Sequence, residues 1–348
     1  MEKDVVVLVT GAAGFIGSYL CRKLLLETSY KVVGLDNLNS YYDVSLKKSR
    51  LSTLKRFPKF SFIKGDIADR SQLESLFEKS HIDIVVNLAA QAGVRYSIDH
   101  PDSYMQSNVI GFYYLLEACR RFPVKHLVYA SSSSVYGVNK KVPFSIKDKV
   151  DHPVSLYAAT KKSDELFAHA YSKLYNIPTT GLRFFTVYGP MGRPDMAYFS
   201  FTNKLVKGED IELFNNGKCK RDFTYIDDIV EGILRVMKNP PEKKDDEDGL
   251  PIAPYRLYNI GNNKPVKLEE FVNTLCEELI KAKVLPNNYD LNAHKKYVPM
   301  QPGDVTVTYA DIKELETDFD FKPITPLKDG LRKFAEWYKE YYKIKNYE

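Results

Sequence analysis

The sequence predicts an α/β protein with a doubly wound parallel sheet and a smaller C-terminal α/β domain. In the first half of the chain, short apolar runs alternate with amphipathic stretches. A glycine-rich turn follows the first apolar run, and an aspartate ends the second. Near-continuous apolar strands separated by helices are typical of a parallel sheet that is covered on both faces.

The predicted elements follow this alternation in order. Predicted strands cover 4–11, 31–37, 60–66, 83–90, 126–133 and a sixth at 179–189; predicted helices cover 15–27, 71–79, 101–121 and 155–175. We predict a nucleotide-binding domain over 1–190, to which segments near 222–240 and 255–262 return, and an interleaved substrate domain over 191–348. The proline- and charge-rich stretch 238–254 is predicted to be an exposed insertion.

Composition narrows the functional classes. The 348 residues carry a formal net charge of +5 with both signs interspersed, which does not favour nucleic-acid binding. The four cysteines lack CxxC spacing and the six histidines are dispersed, so we predict reduced thiols, a cytoplasmic protein and no metal site. The N-terminal segment has neither a signal-peptide core nor the length of a membrane span.

The glycine-rich turn "TGAAGFIG" has the G-x-x-G-x-x-G spacing of a dinucleotide-binding loop. Gly11 allows a tight turn, Gly14 lets the backbone approach a pyrophosphate, and Gly17 lets the helix pack closely. The helix N-terminus then offers free N–H groups to the phosphates. A structural turn is the alternative for the loop taken alone.

Two aspartates support the interpretation as a Rossmann-like cofactor site. Asp36 ends the second strand, where a carboxylate accepts hydrogen bonds from the adenosine ribose and repels a 2′-phosphate, which favours NAD over NADP. Asp66 ends the third strand, and we predict either a contact with the adenine edge or a turn or helix-cap residue.

A tyrosine and a lysine supply candidate acid–base chemistry. Tyr157 and Lys161 in "YAATK" are four residues apart, so a helix places them on one face. The ammonium favours the phenolate of Tyr157 and lowers its pKa. Ser132, at the end of the fifth strand, can hold the reacting oxygen, although the serine run 131–134 leaves open which hydroxyl points inward.

These motifs, with "AAQAGVRYS", "LRFFTVYGP", "RDFTYIDDIVEGI" and "MQPGDV", resemble the extended short-chain dehydrogenase/reductases along nearly the whole chain. The closest resemblance is to the sugar-nucleotide 4-epimerases that act on UDP-glucuronate. The resemblance implies a catalytic Ser132, Tyr157 and Lys161 and a tightly bound NAD that is reduced and reoxidised in each turnover. The predicted cofactor contacts are Gly11, Gly14, Phe15, Ile16, Gly17, Asp36, Asn37, Asp66, Ile67, Leu88, Ala89, Ala90, Gln91, Asn108, Ser132, Tyr157 and Lys161.

The resemblance also implies the reaction. Related dehydratases and decarboxylases carry acidic residues where this chain has Ser133 and Ser134, so simple epimerisation at C4, through a 4-keto sugar with Tyr157 as acid and base, is favoured. The predicted substrate contacts are Arg95, Ser132, Ser133, Tyr157, Thr186, Arg193, Arg221 and Asp304.

Within that set, Arg193 and Thr186 are predicted to bind the sugar carboxylate, with Arg95 in support. Arg221 is predicted to bind the diphosphate, or else to form a surface pair with Asp222. Asp304 is predicted to bind the uridine ribose. Many relatives have an arginine where this chain has Gln301.

Two other functions remain open at this point. The first is a 4-epimerase of neutral UDP-hexoses or UDP-pentoses, against which the arginines argue. The second is a non-catalytic NAD(H)-binding regulator, against which the retained tyrosine and lysine argue.

The helices at 101–121 and 155–175 are predicted to form the four-helix interface of a homodimer, and no membrane association is predicted. The aromatic C-terminal segment is predicted to be an amphipathic helix on the fold, with a membrane-surface or partner helix as the alternative.

Overall fold

The computed structural model describes residues 5–247, 249–301 and 304–345. The charged N-terminal residues 1–4, position 248 of the predicted insertion, the centre of the QPGD motif at 302–303 and the terminal residues 346–348 lie outside the described residues.

Strands and helices alternate through the first half. The strands are β1 (Val6–Thr10), β2 (Lys31–Asp36), β3 (Phe60–Lys64), β4 (Ile84–Asn87), β5 (His126–Ser132), β6 (Thr179–Phe184), β7 (Thr186–Tyr188), β8 (Ile211–Leu213), β9 (Lys220–Tyr225), β10 (Lys244–Asp245), β11 (Pro251–Ile252), β12 (Tyr255–Ile260), β13 (Pro265–Lys267) and β14 (Lys295–Tyr297). The helices are α1 (Phe15–Glu27), α2 (Val44–Leu54), α3 (Arg70–Ser80), α4 (Tyr96–Asp99), α5 (Pro101–Tyr104), α6 (Gly111–Arg121), α7 (Leu156–Tyr175), α8 (Ala197–Val206), α9 (Ile226–Met237), α10 (Leu268–Lys281), α11 (Lys313–Phe319) and α12 (Leu327–Tyr342).

The large sheet has seven parallel strands in the order β12-β6-β5-β4-β1-β2-β3. Its strand order reverses direction between β1 and β4, where Thr10 is paired with both Leu35 and Asn87. The central strands are buried because helices cover both faces. The predicted doubly wound α/β fold is therefore confirmed, and its topological switch point marks the expected ligand edge.

The single strand predicted at 179–189 is wrong, because two strands occupy this stretch. β6 pairs with β5 and β12 in the large sheet, whereas β7 pairs with β9 in a separate three-stranded sheet, β13-β9-β7. Phe185 lies between them, and its N–H donates to the carbonyl of Ile260 at 3.2 Å. The chain thus passes from the large sheet to the three-stranded sheet at this residue.

Two of the differences between the predicted and the observed helices bear on the cleft. The helix predicted at 101–121 comprises α5 and α6 joined by a π-helical turn over Met105–Ile110. α2 is not predicted from periodicity because its buried face includes Lys47 and Arg50 as well as leucines. Arg50 donates to the carbonyl oxygens of Ala13, Met191 and Gly192, which satisfies its buried charge.

The later segments interleave between the two layers. β9 belongs to the small sheet, whereas the following helix α9 packs against α1 and β12 forms one edge of the large sheet. α12 packs its apolar face inward, with Phe334, Trp337 and Tyr338 against Phe199 of α8. No helix within the described ranges is long and apolar enough to cross a membrane.

Candidate active site

A cleft of about 800 Å³ opens at the carboxyl ends of the large-sheet strands and extends to the small sheet. Every residue predicted to bind cofactor or substrate lines this cleft, with the exception of Asn108. Residues from both halves of the chain thus meet in one cavity.

The glycine loop at the β1–α1 turn is shaped for close backbone approach. Gly11 has a φ of +68°, and a Cβ there would lie 2.8 Å from the backbone nitrogen of Ala89. A Cβ on Gly17 would clash with the carbonyl oxygen of Gly11, and one on Gly14 would lie 2.9 Å from the same oxygen. The first turn of α1 carries N–H groups without an intrahelical acceptor, so the loop fits a pyrophosphate.

Asp36 lies beside this loop and is buried. Its Oδ2 accepts from the N–H of Ala13 at 3.0 Å, and its Oδ1 accepts from the N–H of Leu38 at 2.8 Å. Each carboxylate oxygen keeps a further lone pair for a ribose hydroxyl. The carboxylate is therefore fixed in orientation at the end of β2.

The position of Asp66 is compatible with both of its predicted roles, a contact with the adenine edge and a turn residue. Its Oδ1 accepts from the N–H of Ala68 at 2.9 Å, which forms a turn, and its Oδ2 accepts from the amide of Asn37 at 2.8 Å. Asp69, not Asp66, is the cap of α3. Asp66 and Asn37 both line the cleft.

The serine run separates into buried and cleft-facing hydroxyls. Ser131 donates to Oε1 of buried Glu165 at 2.7 Å, so its hydroxyl points away from the cleft. The Oγ of Ser132 accepts from the N–H of Ser134 at 3.1 Å and caps the short 3₁₀ turn Ser133–Tyr136. Ser132, at the end of β5, lines the cleft together with Ser133 and Ser134.

Tyr157 and Lys161 lie on the cleft-facing side of α7, which begins after the capping hydroxyl of Ser155. The Tyr157 ring packs edge-on against Tyr104, with 6.0 Å between centroids. The Nζ of Lys161 donates to the carbonyl of Ala130 at 2.9 Å and to Oδ2 of Asp164 at 3.1 Å. The ammonium is thus held beside the tyrosine by the helix and by β5.

Asn108 lies behind the cleft wall, in the π-helical turn, and is 1% exposed. Its side chain accepts from the N–H of Gln91 at 2.8 Å and donates to the Gln91 carbonyl and to Thr160 at 3.0 Å. It ties the loop after β4 to α7. The geometry supports a positioning role for Asn108 through Gln91.

Arg193 already has a carboxylate partner. Its Nε donates to Oδ1 of Asp195 at 3.0 Å and its Nη2 bonds to Oδ2, while the hydroxyl of Tyr41 donates to the same Oδ2 at 3.1 Å. Although burial opposes both charges, the attraction between them raises the pKa of Arg193 and lowers that of Asp195. Thr186 lines the same part of the cleft from β7.

Arg95 and Asp304 meet at the other end. The Nη2 of Arg95 lies 3.1 Å from Oδ2 of Asp304, and its guanidinium stacks over Phe214 at 4.4 Å from the ring centroid. Arg95 therefore lies with the residue predicted to bind the uridine ribose, so a contact at the nucleotide end is an alternative to its predicted support of the sugar carboxylate.

Arg221 faces this end as well. Its Nη1 donates to the carbonyl oxygens of Lys220 and Thr306. Asp222 is fully buried and accepts from the N–H groups of Asn262, Asn263 and Ala310, so the alternative of a surface Arg221–Asp222 pair is wrong.

Sequence reasoning missed several residues around the cleft. Tyr41 and Asp195 enclose Arg193. The sequence "GRPD", in which Asp195 follows Arg193 by two residues, is the signal that could have identified Asp195. Lys47 donates to the carbonyl and side-chain oxygens of Asn39, at 2.8 and 2.7 Å, and so fixes the loop after β2. Burial lowers the pKa of Lys47.

The described residues contain no cluster of three or more potential metal ligands, and all four cysteines are buried and free.

Known proteins resemble this chain along nearly its full length. The model of the NAD dependent epimerase/dehydratase family matches residues 7–261. The CapI protein of Staphylococcus aureus is 52% identical over 343 residues, which cover 97% of this chain and 99% of that protein. UDP-glucuronate 4-epimerase 2 of Arabidopsis thaliana is 49% identical over 348 residues, which cover 98% of this chain and 77% of that protein.

Among solved structures, the UDP-glucuronic acid 4-epimerase of Bacillus cereus, in complex with UDP-glucuronic acid and NAD, superposes with a TM-score of 0.85. It is 33% identical, and the match covers 97% of this chain and 100% of that one.

The fold, the glycine loop and the family match together define the class: the chain belongs to the NAD dependent epimerase/dehydratase family. The predicted resemblance to UDP-glucuronate 4-epimerases is confirmed by the curated and the structural relatives. These relatives also confirm the predicted enzyme class, an epimerase and hence an isomerase, and NAD as the cofactor.

Proposed function

We propose that this protein interconverts UDP-glucuronate and UDP-galacturonate by epimerisation at C4 through a 4-keto sugar. The observation that carries the proposal is the single cleft that brings Tyr157, Lys161 and Ser132 together with Arg193 and, further along, with Arg221. The cleft thus combines acid–base groups with a cation for a sugar carboxylate and one for a diphosphate.

Tyr157 is the acid and base of the proposed reaction. It takes the proton of the C4 hydroxyl and returns a proton to the same oxygen once the sugar has presented its other face. Lys161 stabilises the phenolate, because its ammonium is fixed one helical turn away. Ser132 holds the C4 oxygen from the end of β5.

The cofactor site uses the residues on the opposite wall. Gly11, Gly14 and Gly17 would hold the pyrophosphate of NAD and Asp36 its adenosine ribose. Bound NAD would supply a reversible hydride acceptor for C4, and the reaction would then have no net redox change. The loop after β2 is tied to Asp66 and Asp195 through Asn37 and Tyr41, which supports tight retention of the cofactor.

Arg193 is the proposed partner of the sugar carboxylate, with Thr186 beside it. A guanidinium has five N–H donors, and Asp195 engages those on Nε and Nη2, so donors remain for a second carboxylate. Asp304 is the proposed contact to the uridine ribose and Arg221 to the diphosphate. With most of the binding free energy on UDP, the sugar is free to turn.

The arrangement of acidic residues favours simple epimerisation over dehydration or decarboxylation. Positions 131–134 carry hydroxyls only. Glu165, which is bonded to Ser131, lies behind the cleft wall in a buried ion pair with Arg183. A carboxylate at this strand end is therefore not available to move the C5 proton.

The test is turnover of UDP-glucuronate by the purified protein without added NAD, followed by separation of the product sugars. We expect UDP-galacturonate, and a loss of about 10³-fold in kcat for Tyr157→Phe, because a positioned acid–base group contributes roughly 10²–10⁴-fold. A matched control is Tyr171→Phe, whose hydroxyl donates to Glu117 outside the cleft. Undiminished activity of Tyr157→Phe would sink the proposal.

The same assay separates the two other candidate functions. Conversion of UDP-glucose at least as efficient as that of UDP-glucuronate favours a neutral-sugar 4-epimerase. No conversion of either substrate by protein that retains NAD favours a non-catalytic NAD-binding protein.

A further inference from the structure

Lys161 and Asp164 form an ion pair in the interior beside the cleft. The Nζ–Oδ2 distance is 3.1 Å, and the side chains are 3% and 2% exposed. Removing two charges from water is costly, so a pair this well buried has to be stabilised by its mutual contact. The lysine of this pair is the one predicted to stabilise the Tyr157 phenolate.

The hydrogen bonds of the Lys161 ammonium determine how many of its N–H groups remain to face the cleft. One N–H of Lys161 goes to the carbonyl of Ala130 and a second to Asp164. An ammonium has three N–H donors, so one is left to face the cleft, which Lys161 lines. Asp164 therefore fixes the direction of the ammonium and partly offsets its charge.

The surroundings of Asp164 make Lys161 its counter-ion. Its Oδ1 is buried and has no hydrogen-bond partner among the described residues. The other titratable groups that act on it or respond to it are Glu165 on α7 and Tyr129 on β5. Glu165 is itself neutralised by Arg183, and the hydroxyl of Tyr129 bonds to Tyr255 at 2.7 Å.

We propose that Asp164 is a positioning residue that holds Lys161 and limits how strongly its ammonium favours the Tyr157 phenolate. This inference rests on the proposed function of Tyr157 and Lys161. Tyr157 precedes Lys161 by one turn of α7 and shares the cleft with it, while Asp164 holds the ammonium from the other side of the sequence. The negative charge of the carboxylate therefore opposes the effect of the ammonium on the phenol. Neutralising Asp164 leaves the ammonium unopposed beside Tyr157.

The titration of Asp164 itself adds support. Burial raises the pKa of Asp164 to about 7, against the lowering effect of Lys161.

The first test is the pH dependence of kcat/KM in Asp164→Asn, which keeps the shape of the side chain and removes its charge. We expect the acidic limb to move to lower pH by about one unit, a shift in the range that a neighbouring charge produces. Asp164→Glu keeps the charge and should keep the limb near that of the wild type. Asp151→Asn is the matched control, because Asp151 is exposed and its loss changes the net charge equally. Coincident limbs in wild type and Asp164→Asn would overturn the proposal.

The second test is the unfolding temperature of wild type and Asp164→Asn as a function of pH. An aspartate whose folded pKa is raised binds more protons in the folded state, so the wild type loses stability relative to the variant as pH rises from about 4 to about 7. A difference independent of pH contradicts the inference. Since this series needs no substrate, failure of the proposed reaction abolishes turnover but leaves the pH-dependent difference intact.

Discussion

Replacing Arg193 by Gln should impair recognition of the uronate selectively. A hydrogen bond to a charged group contributes about 1.5–3 kcal/mol. The lower part of that range applies, because the Arg193 side chain is 22% exposed and already shared with Asp195. A loss of about 1.5–2 kcal/mol corresponds to a roughly 10- to 30-fold rise in KM for UDP-glucuronate.

Loss of Arg193 also changes the effect of Asp195 on the substrate. In Arg193→Gln its carboxylate loses its cation and repels the sugar carboxylate. We therefore expect the double variant Arg193→Gln, Asp195→Asn to have a lower KM than Arg193→Gln alone.

Steady-state kinetics with UDP-glucuronate and calorimetric titration with UDP, which has no carboxylate, separate the two ends of the cleft. Arg193→Gln should leave the Kd of UDP unchanged. The matched control is Arg95→Gln, which removes the partner of Asp304 and should raise the KM of UDP-glucuronate and the Kd of UDP alike. An unchanged KM in Arg193→Gln, or an equal loss for UDP, would refute Arg193 as the carboxylate ligand.

Three further predictions concern the cofactor, the stability and the assembly. Gly17→Ala should yield protein without bound NAD, because the added Cβ clashes with the backbone of the glycine loop, as the absorbance ratio at 260 and 280 nm would show. Glu117→Gln should lower the free energy of unfolding by about 1 kcal/mol at pH 7. Arg120 lowers the pKa of Glu117 to about 2, so this effect should fade as pH falls from about 5 to 2 in denaturant titrations. The predicted homodimer should become a monomer in light scattering when the exposed Leu166 and Leu174 of α7 are replaced by Glu.

Each of these outcomes can fail in a specific way. Gly17→Ala that purifies with NAD would contradict the close packing of the loop. A stability loss in Glu117→Gln that persists at pH 2 would assign it to packing and not to charge. An unchanged mass of the double leucine variant would contradict the predicted four-helix interface.

The large sheet could be predicted because its strands are apolar runs with local boundaries. The split of the sixth predicted strand could not, since β6 and β7 differ only in their distant partners, β12 and β9. α2 escaped prediction for a related reason. Charged side chains on its buried face interrupt the apolar periodicity. They can be buried because carbonyl oxygens that are distant in the sequence accept their hydrogen bonds.

The candidate site shows the same division. Residues in local motifs, such as Gly11 and Tyr157, could be assigned from spacing because a turn or a helix alone fixes their neighbours. The carboxylates that pair with the cations of the site could not be found from spacing. Asp195 and Asp164 lie two and three residues from Arg193 and Lys161, a spacing that many surface pairs share. Only the folded layers place Asp195 at the cleft and bury Asp164.

The most direct test of the proposed reaction is epimerisation of UDP-glucuronate that carries deuterium at C4, in ordinary water and without added NAD. Because a hydride removed from C4 does not exchange with water before it returns to the same carbon, the UDP-galacturonate formed should retain the deuterium at C4. Product that has lost the deuterium to solvent would contradict the mechanism.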